Sequence, residues 1–272
     1  MIVKSPSSIT TYNNTASVLL CHRRFYLLLC FIFFSGYLSA PLQSQENKTL
    51  QIRTISISPY GITSEGKFSG IYYDLANTLA REAGYNVSHA IYPYARIIHE
   101  LKYGKTDLTI MFKYKELEDH VTYIAPLPSL KNVVIGLKES HFPSIQSLKY
   151  KKIAYLRGAK FSDEIDNDAD VLKTPIRDFD QGISMLLAKR VDAIIGPLDP
   201  ITMAFNNLKI TGKLPEPTLG LPLIVSERTP WIQLSKHSRS SISIDELTEH
   251  FQHILERGEL ERLRQHYMMP YQ

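Results

Sequence analysis

Residues 94–112 read YARIIHELKYGKTDLTIMF, and this stretch decides the fold. Ile97, Ile98 and Leu101 recur at helical spacing, which predicts a helix over residues 94–103 with those three side chains inward. Gly104 stands just past its end, where a left-handed residue closes a helix. Asp107-Leu108-Thr109-Ile110-Met111-Phe112 is then a short apolar run, which predicts a buried strand. A helix that turns tightly into a buried strand is the grammar of an α/β protein with a parallel sheet. Residues 178–196, DFDQGISMLLAKRVDAIIG, repeat it. With Asp192 placed on Asp107, Leu186 falls on Leu101 and Ile183 on Ile98. Many α/β units share such spacing, so the recurrence fits either coincidence or two similarly wound lobes.

The flanking segments extend the pattern. Leu50 to Ile57 alternates with period two and predicts a strand, stopped by Pro59-Tyr60-Gly61. A loop through Ser64-Glu65-Gly66-Lys67 leads to a helix that Asp74 would cap, with Leu75, Leu79, Ala80 and Ala83 inward and Gly84 at its end. Asn86 to Ile91 is a second strand. Ile153-Ala154-Tyr155-Leu156 is a short strand running into Arg157-Gly158-Ala159-Lys160. Near the carboxyl end, Ser243 and Glu246 form a capping box ahead of a stripe of Leu247, Phe251, Ile254 and Leu255. Gly258 ends that helix, and a last one carries Leu260 and Leu263.

The 272 residues are 44% hydrophobic and 21% charged, which excludes disorder, collagen and coiled coil. The net charge is +4, but residues 1–44 hold Lys4, Arg23 and Arg24 and no acid. The remainder is nearly neutral, which is poor material for binding a phosphate backbone, so no nucleic-acid partner is expected. Arg23 and Arg24 precede an uncharged run from Phe25 to Ala40, with small residues at Ser35, Gly36, Ser39 and Ala40. A basic flank, a short apolar core and small exit residues predict a secretory signal over residues 1–44, cut after Ala40 or Ser44. The two cysteines, Cys21 and Cys30, fall inside it, and Cys30 follows three leucines rather than the small residues of a lipoprotein site. The exported body is thus expected to be a soluble periplasmic protein without disulfides.

Three motifs carry little. Ser64 and Lys67 match Ser-x-x-Lys but sit among glycines that mark a loop. Glu249, His250 and His253 could share a metal on one helix face, though no further ligand is evident. The acidic run Asp163, Glu164, Asp166, Asp168 and Asp170 lacks the glycine and terminal glutamate of a calcium loop. No metal and no cofactor are expected.

Six stretches in register resemble the family 3 periplasmic solute-binding proteins, the receptors of amino-acid-type ABC importers. They are Gly70-Ile71-Tyr72-Tyr73-Asp74-Leu75; Tyr92-Pro93-Tyr94-Ala95-Arg96 with Leu101, Gly104, Asp107 and Leu108; Tyr123-Ile124-Ala125-Pro126; Gly158; Arg190-Val191-Asp192-Ala193; and Leu255-Glu256-Arg257-Gly258-Glu259-Leu260. The resemblance implies an α/β, two-lobed periplasmic-binding-protein fold of type II, each lobe a mostly parallel sheet flanked by helices. Lobe 1 would be residues 45–135 plus 231–272 and lobe 2 residues 136–230, with hinge crossings near Asn132–Leu137 and Trp231–Ser235. It also implies a monomer that closes on a small molecule and presents it to an ABC permease in the inner membrane, without catalysis. A periplasmic ligand sensor serving a membrane receptor and a dehydratase-like enzyme are the alternatives on this fold.

The family's amino-acid binders grip the α-carboxylate with an arginine after the third strand and hold the ammonium with an acid in lobe 2. Here the arginine position falls on Leu117, and Gly196 and Pro197 stand near the acid position, with Asp199 displaced. The resemblance therefore implies a small polar or anionic ligand rather than an ordinary amino acid. Its contacts would come from Tyr60 (or simple loop packing), Tyr94, Arg96 (or a surface ion pair), Phe112 and Lys113. In lobe 2 the loop Arg157, Gly158, Ala159 and Lys160 would bind an anion through backbone N–H groups, unless it is an ordinary turn. Asp199 either meets the ligand or caps Pro200-Ile201-Thr202.

Overall fold

The computed structural model describes Met1 and residues 49–210, 219–238 and 241–268. The expected export signal, Met1 apart, lies outside the described residues. No described helix is long and apolar enough to cross a membrane. From the amino end, β1 (Thr49–Ile55) leads through β2 (Ile62–Ser64) and β3 (Lys67–Ser69) into α1 (Ile71–Glu82). Then come β4 (Asn86–Tyr92), α2 (Tyr94–Lys102), β5 (Leu108–Phe112), β6 (Val121–Pro126) and β7 (Leu130–Ile135). β8 (Lys152–Leu156), α3 (Asp163–Asn167), β9 (Leu172–Ile176), α4 (Phe179–Leu187), β10 (Ala193–Pro197) and α5 (Leu198–Ile210) follow. β11 (Leu223–Arg228), β12 (Pro230–Ser235), α6 (Ile244–Glu256) and α7 (Glu259–Met268) complete the chain.

These strands form two five-stranded sheets, ordered β4-β1-β5-β12-β6 and β9-β8-β10-β7-β11. In each, three parallel strands lie with the first in the middle, and an antiparallel strand joins beside the third. The equivalence of Asp107 and Asp192 is carried by hydrogen bonds. The Asp107 N–H donates to the Gln51 carbonyl at 2.8 Å, and the Gln51 N–H donates to the Asp107 carboxylate at 2.7 Å. Asp192 makes the same pair with Lys152, both at 2.7 Å. Each aspartate thus ties the root of a third strand to the root of the first and levels the two strands' far ends.

The two passages between the sheets fall earlier than the sequence suggests. Leu130–Ile135 pairs with β10 and β11, so the chain leaves the first sheet at residues 127–129, not near 132–137. Trp231–Ser235 pairs with β5 and β6, so it returns at Thr229. Apolar residues that read as linker are claimed by open sheet edges, whose unpaired backbone groups need partners. The stretch Ser64–Lys67 is a tight hairpin rather than a loop, because Glu65 and Gly66 both take positive φ (50° and 75°), the geometry a two-residue hairpin needs. Asp74 does not cap α1. The helix starts at Ile71 after Gly70, and the Asp74 carboxylate accepts from the Tyr267 hydroxyl of α7.

The carboxyl-terminal helices close over the first sheet. Leu247, Phe251 and Ile254 are at most 1% exposed, each burial being worth about 1.5–3 kcal/mol, whereas Leu255 turns outward. Ser243 caps α6 through its hydroxyl, which accepts from the Glu246 N–H at 3.2 Å. Arg257 reaches Glu82 of α1.

On the opposite edge of that sheet, the His89 ring stacks on Tyr73 at 4.0 Å between Asn77 and Thr54, its nitrogens 2.9 Å from Asn77 Oδ1 and 2.8 Å from Thr54 Oγ1. Burial, helped by the Arg53 charge, holds its pKa down at about 3. The folded value lies below the unfolded one, so the folded protein binds fewer protons; the stabilisation is full above about pH 6.5 and is lost as pH falls towards 3. Urea unfolding at pH 7 and pH 4.5 should show a loss of about 2 kcal/mol on acidification that His89→Gln reduces. A second measurement addresses the aspartates. Asp107 is buried and Asp192 exposed, so Asp107→Ala should cost about 1–3 kcal/mol in urea titration and Asp192→Ala less.

Candidate functional site

The parallel strands of the two sheets end facing each other. Ser56 and Ile57 follow β1, and Pro93 and Tyr94 follow β4. From the second sheet, Leu156 and Arg157 end β8, Pro175 lies in β9 with Arg177 just after it, and Gln181 stands on α4. Together these residues line a cavity of about 360 Å³. Ligands of open α/β sheets bind in this position, beyond the carboxyl ends of the strands. Among the described residues that line it, Arg157, Arg177 and Tyr94 are the ionisable ones.

Behind Tyr94 the junction is aromatic. Tyr60 stacks on Tyr72 with centroids 4.3 Å apart, and Phe112 and Pro197 close the same narrow space. Burial raises the pKa of Tyr60, with the Asp199 charge adding to it, and burial alone raises that of Tyr94. Both phenols stay protonated at any physiological pH and can donate. The Tyr60 hydroxyl is buried and has no hydrogen-bond partner among the described residues.

Direct bonds also join the lobes outside the cavity lining. Arg228, at the end of β11, donates to the Lys160 carbonyl at 2.7 Å and to the Lys113 carbonyl at 2.8 Å, one in each lobe. The Lys160 N–H donates to the Tyr114 hydroxyl at 3.2 Å. Asp199 meets Arg264 of α7 at 3.6 Å. Gly158 comes closest: a Cβ built on it would lie 3.0 Å from Ala95 at the start of α2, and its φ of +79° already favours glycine.

The residues singled out from sequence separate into groups. Tyr94 and Arg157 line the cavity, and Tyr60 and Phe112 form the aromatic floor behind it. Gly158 and Lys160 lie in the contact between lobes. Arg96 turns away, its guanidinium 3.4 Å from the Tyr92 ring centroid and 3.0 Å from Glu100, so the surface ion pair is what the structure contains. The Lys113 ammonium rests 3.6 Å from the Trp231 ring centroid and 4.3 Å from that of Tyr123. Asp199 lies inside the first turn of α5, which begins at Leu198, and does not precede the helix as a cap. Leu117 is fully buried.

The expected backbone anion loop differs as well. The N–H groups of Arg157, Ala159 and Lys160 donate to Ile176 O, Leu156 O and the Tyr114 hydroxyl, which leaves the Gly158 N–H as the one backbone donor of the loop without a partner among the described residues. Sequence reasoning missed Arg177, Gln181 and Arg228. Arg177 follows a strand whose Pro175 hides it, a residue tolerated because β9 is an edge strand. Arg228 ends a strand that no apolar alternation announces.

Comparisons with known proteins agree with this geometry. The sequence profile described as bacterial extracellular solute-binding proteins, family 3, matches residues 53–270. No curated protein matches the chain. Among solved structures, an ancestral arginine-binding protein bound to arginine superposes with a TM-score of 0.68 at 21% identity, over 82% of this chain and 99% of that one. A histidine kinase sensor domain with similarity to periplasmic binding proteins gives 0.68 at 14% identity, over 82% and 96%. The GluR0 ligand-binding core from Nostoc punctiforme in complex with L-glutamate gives 0.66 at 17% identity, over 81% and 100%. At these identities the structures share the two-lobed fold. The profile match runs through both sheets and the carboxyl-terminal helices: the chain belongs to the bacterial extracellular solute-binding proteins, family 3.

Proposed function

We propose that the chain is the periplasmic solute-binding component of an ABC-type importer, exported by its amino-terminal signal. It binds a small polar or anionic solute between hinged lobes and delivers it, as a monomer, to a permease in the inner membrane. The carrying observation is the 360 Å³ cavity whose walls come from both sheets, so that a ligand inside it touches both. A solute with such contacts favours the closed arrangement by its differential affinity for it. Tyr94 and Arg157 contact the ligand, Tyr60 and Phe112 support Tyr94 from behind, and the Gly158 to Lys160 loop brings the lobes together. The family is described by solute binding, and the reading includes no chemical step.

A second reading rests on the sensor-domain likeness, which equals that of the arginine-binding protein in TM-score. In it the closed lobes report to a membrane receptor instead of a permease. Cross-linking in membranes of the source cell separates the two: the importer reading expects a permease, the sensor reading a receptor kinase.

The shared premise is tested by solution scattering during a broad thermal-shift screen. A stabilising solute should reduce the radius of gyration, and Gly158→Val should keep the lobes apart and weaken that solute about tenfold or more, because its side chain must displace Ala95. A solute that stabilises without any compaction would count against hinged closure.

A further inference from the structure

We propose that the interlobe cavity takes a short organic dicarboxylate carrying no ammonium group. This rests on the reading above that the cavity is the solute site. The charge of its lining carries the inference. Arg157 and Arg177 face the cavity, and no carboxylate is among the described residues that line it. The Arg157 guanidinium has no hydrogen-bond or ion-pair partner among the described residues. Arg177 commits only its Nε, to Asp178 Oδ2 at 2.7 Å. Asp178 in turn spends its other oxygen on the Gln181 N–H at 2.8 Å, capping α4. One aspartate outside the lining therefore offsets part of one guanidinium, and the cavity stays positive.

An ammonium placed here would stand beside two guanidinium groups, with no acid among the described lining residues to pair with it. A diacid instead offers one carboxylate to each planar donor fork. Ser56 and Gln181 can donate to its remaining oxygens, and the carbon chain between the acids lies against Ile57, Pro93 and Leu156. Beyond Arg157 the surface continues with Lys160 and Lys173, while the Asp166 carboxylate there accepts from the Tyr155 hydroxyl, so the approach is also positive.

The test is isothermal titration of the purified protein at fixed ionic strength with succinate, 2-oxoglutarate, L-glutamate and L-arginine. L-glutamate and 2-oxoglutarate share a skeleton and differ at the amino group, which isolates the feature in question. Both diacids without nitrogen should bind about tenfold or more tightly than L-glutamate, and L-arginine should not bind. Arg157→Ala and Arg177→Ala should each weaken 2-oxoglutarate about tenfold, and Arg157→Lys should recover part of the loss. Equal or tighter binding of L-glutamate overturns the inference, as do binding of L-arginine, silence of both nitrogen-free diacids, and unchanged diacid affinity in both alanine variants with intact melting curves. If L-glutamate or L-arginine binds and compacts the protein, solute binding stands and only the ligand class falls. If none of the four binds, the diacid falls alone, because the broad screen tests solute binding separately.

Discussion

Asp107 and Asp192 bond the first strand of their sheets twice, and the placement of the cavity depends on that bond. Parallel strands leave register to the hydrophobic pattern and to whatever pins their starts. A carboxylate and an N–H from one residue, aimed at the N–H and carbonyl of another, pin both directions at once. The far ends of β1 and β8 then emerge at fixed heights. Ser56, Ile57, Leu156 and Arg157 occupy those ends, so the two walls of the cavity are set at the roots of the strands.

The junction between the lobes combines two kinds of contact. Its interior is aromatic and neutral, with Tyr60 stacked on Tyr72 beside Tyr94 and Phe112, and burial opposing ionisation of the three phenols. Its rim is polar, with Arg228 gripping a carbonyl on each side. Apolar contact favours closure without direction, while the two carbonyl bonds choose one closed geometry. Arg96, a cation that the sequence offers for the site, serves α2 and Glu100 instead, which leaves the charge of the cavity to lobe 2.

The sequence made the parallel core legible because buried strands and their preceding helices carry strong patterns: residues 94–112 and 178–196 show both, and the spacing of Leu101 and Leu186 ahead of the aspartates is real structural equivalence. The antiparallel strands were harder. Leu130–Ile135 is apolar enough to be a strand, but nothing local says which sheet it joins. β9 is broken by Pro175, and β11 is half exposed. In the site, aromatic residues beside strand ends were visible as Tyr60, Tyr94 and Phe112, because position after a strand is a local property. Arg177 and Arg228 were not, since their roles follow from tertiary neighbours. For Arg96 the sequence left a ligand contact and a surface ion pair open, and Glu100, one helical turn away, captures it.

The grip of Arg228 on two carbonyls has a cost for discrimination. Backbone oxygens are present whether or not a guest is, so this contact rewards the empty and the loaded protein alike. A solute-binding protein held shut in that way spends time closed without a guest. The margin between the loaded and the empty closed form then rests on the guest's own bonds inside the cavity, and trimming Arg228 would widen it.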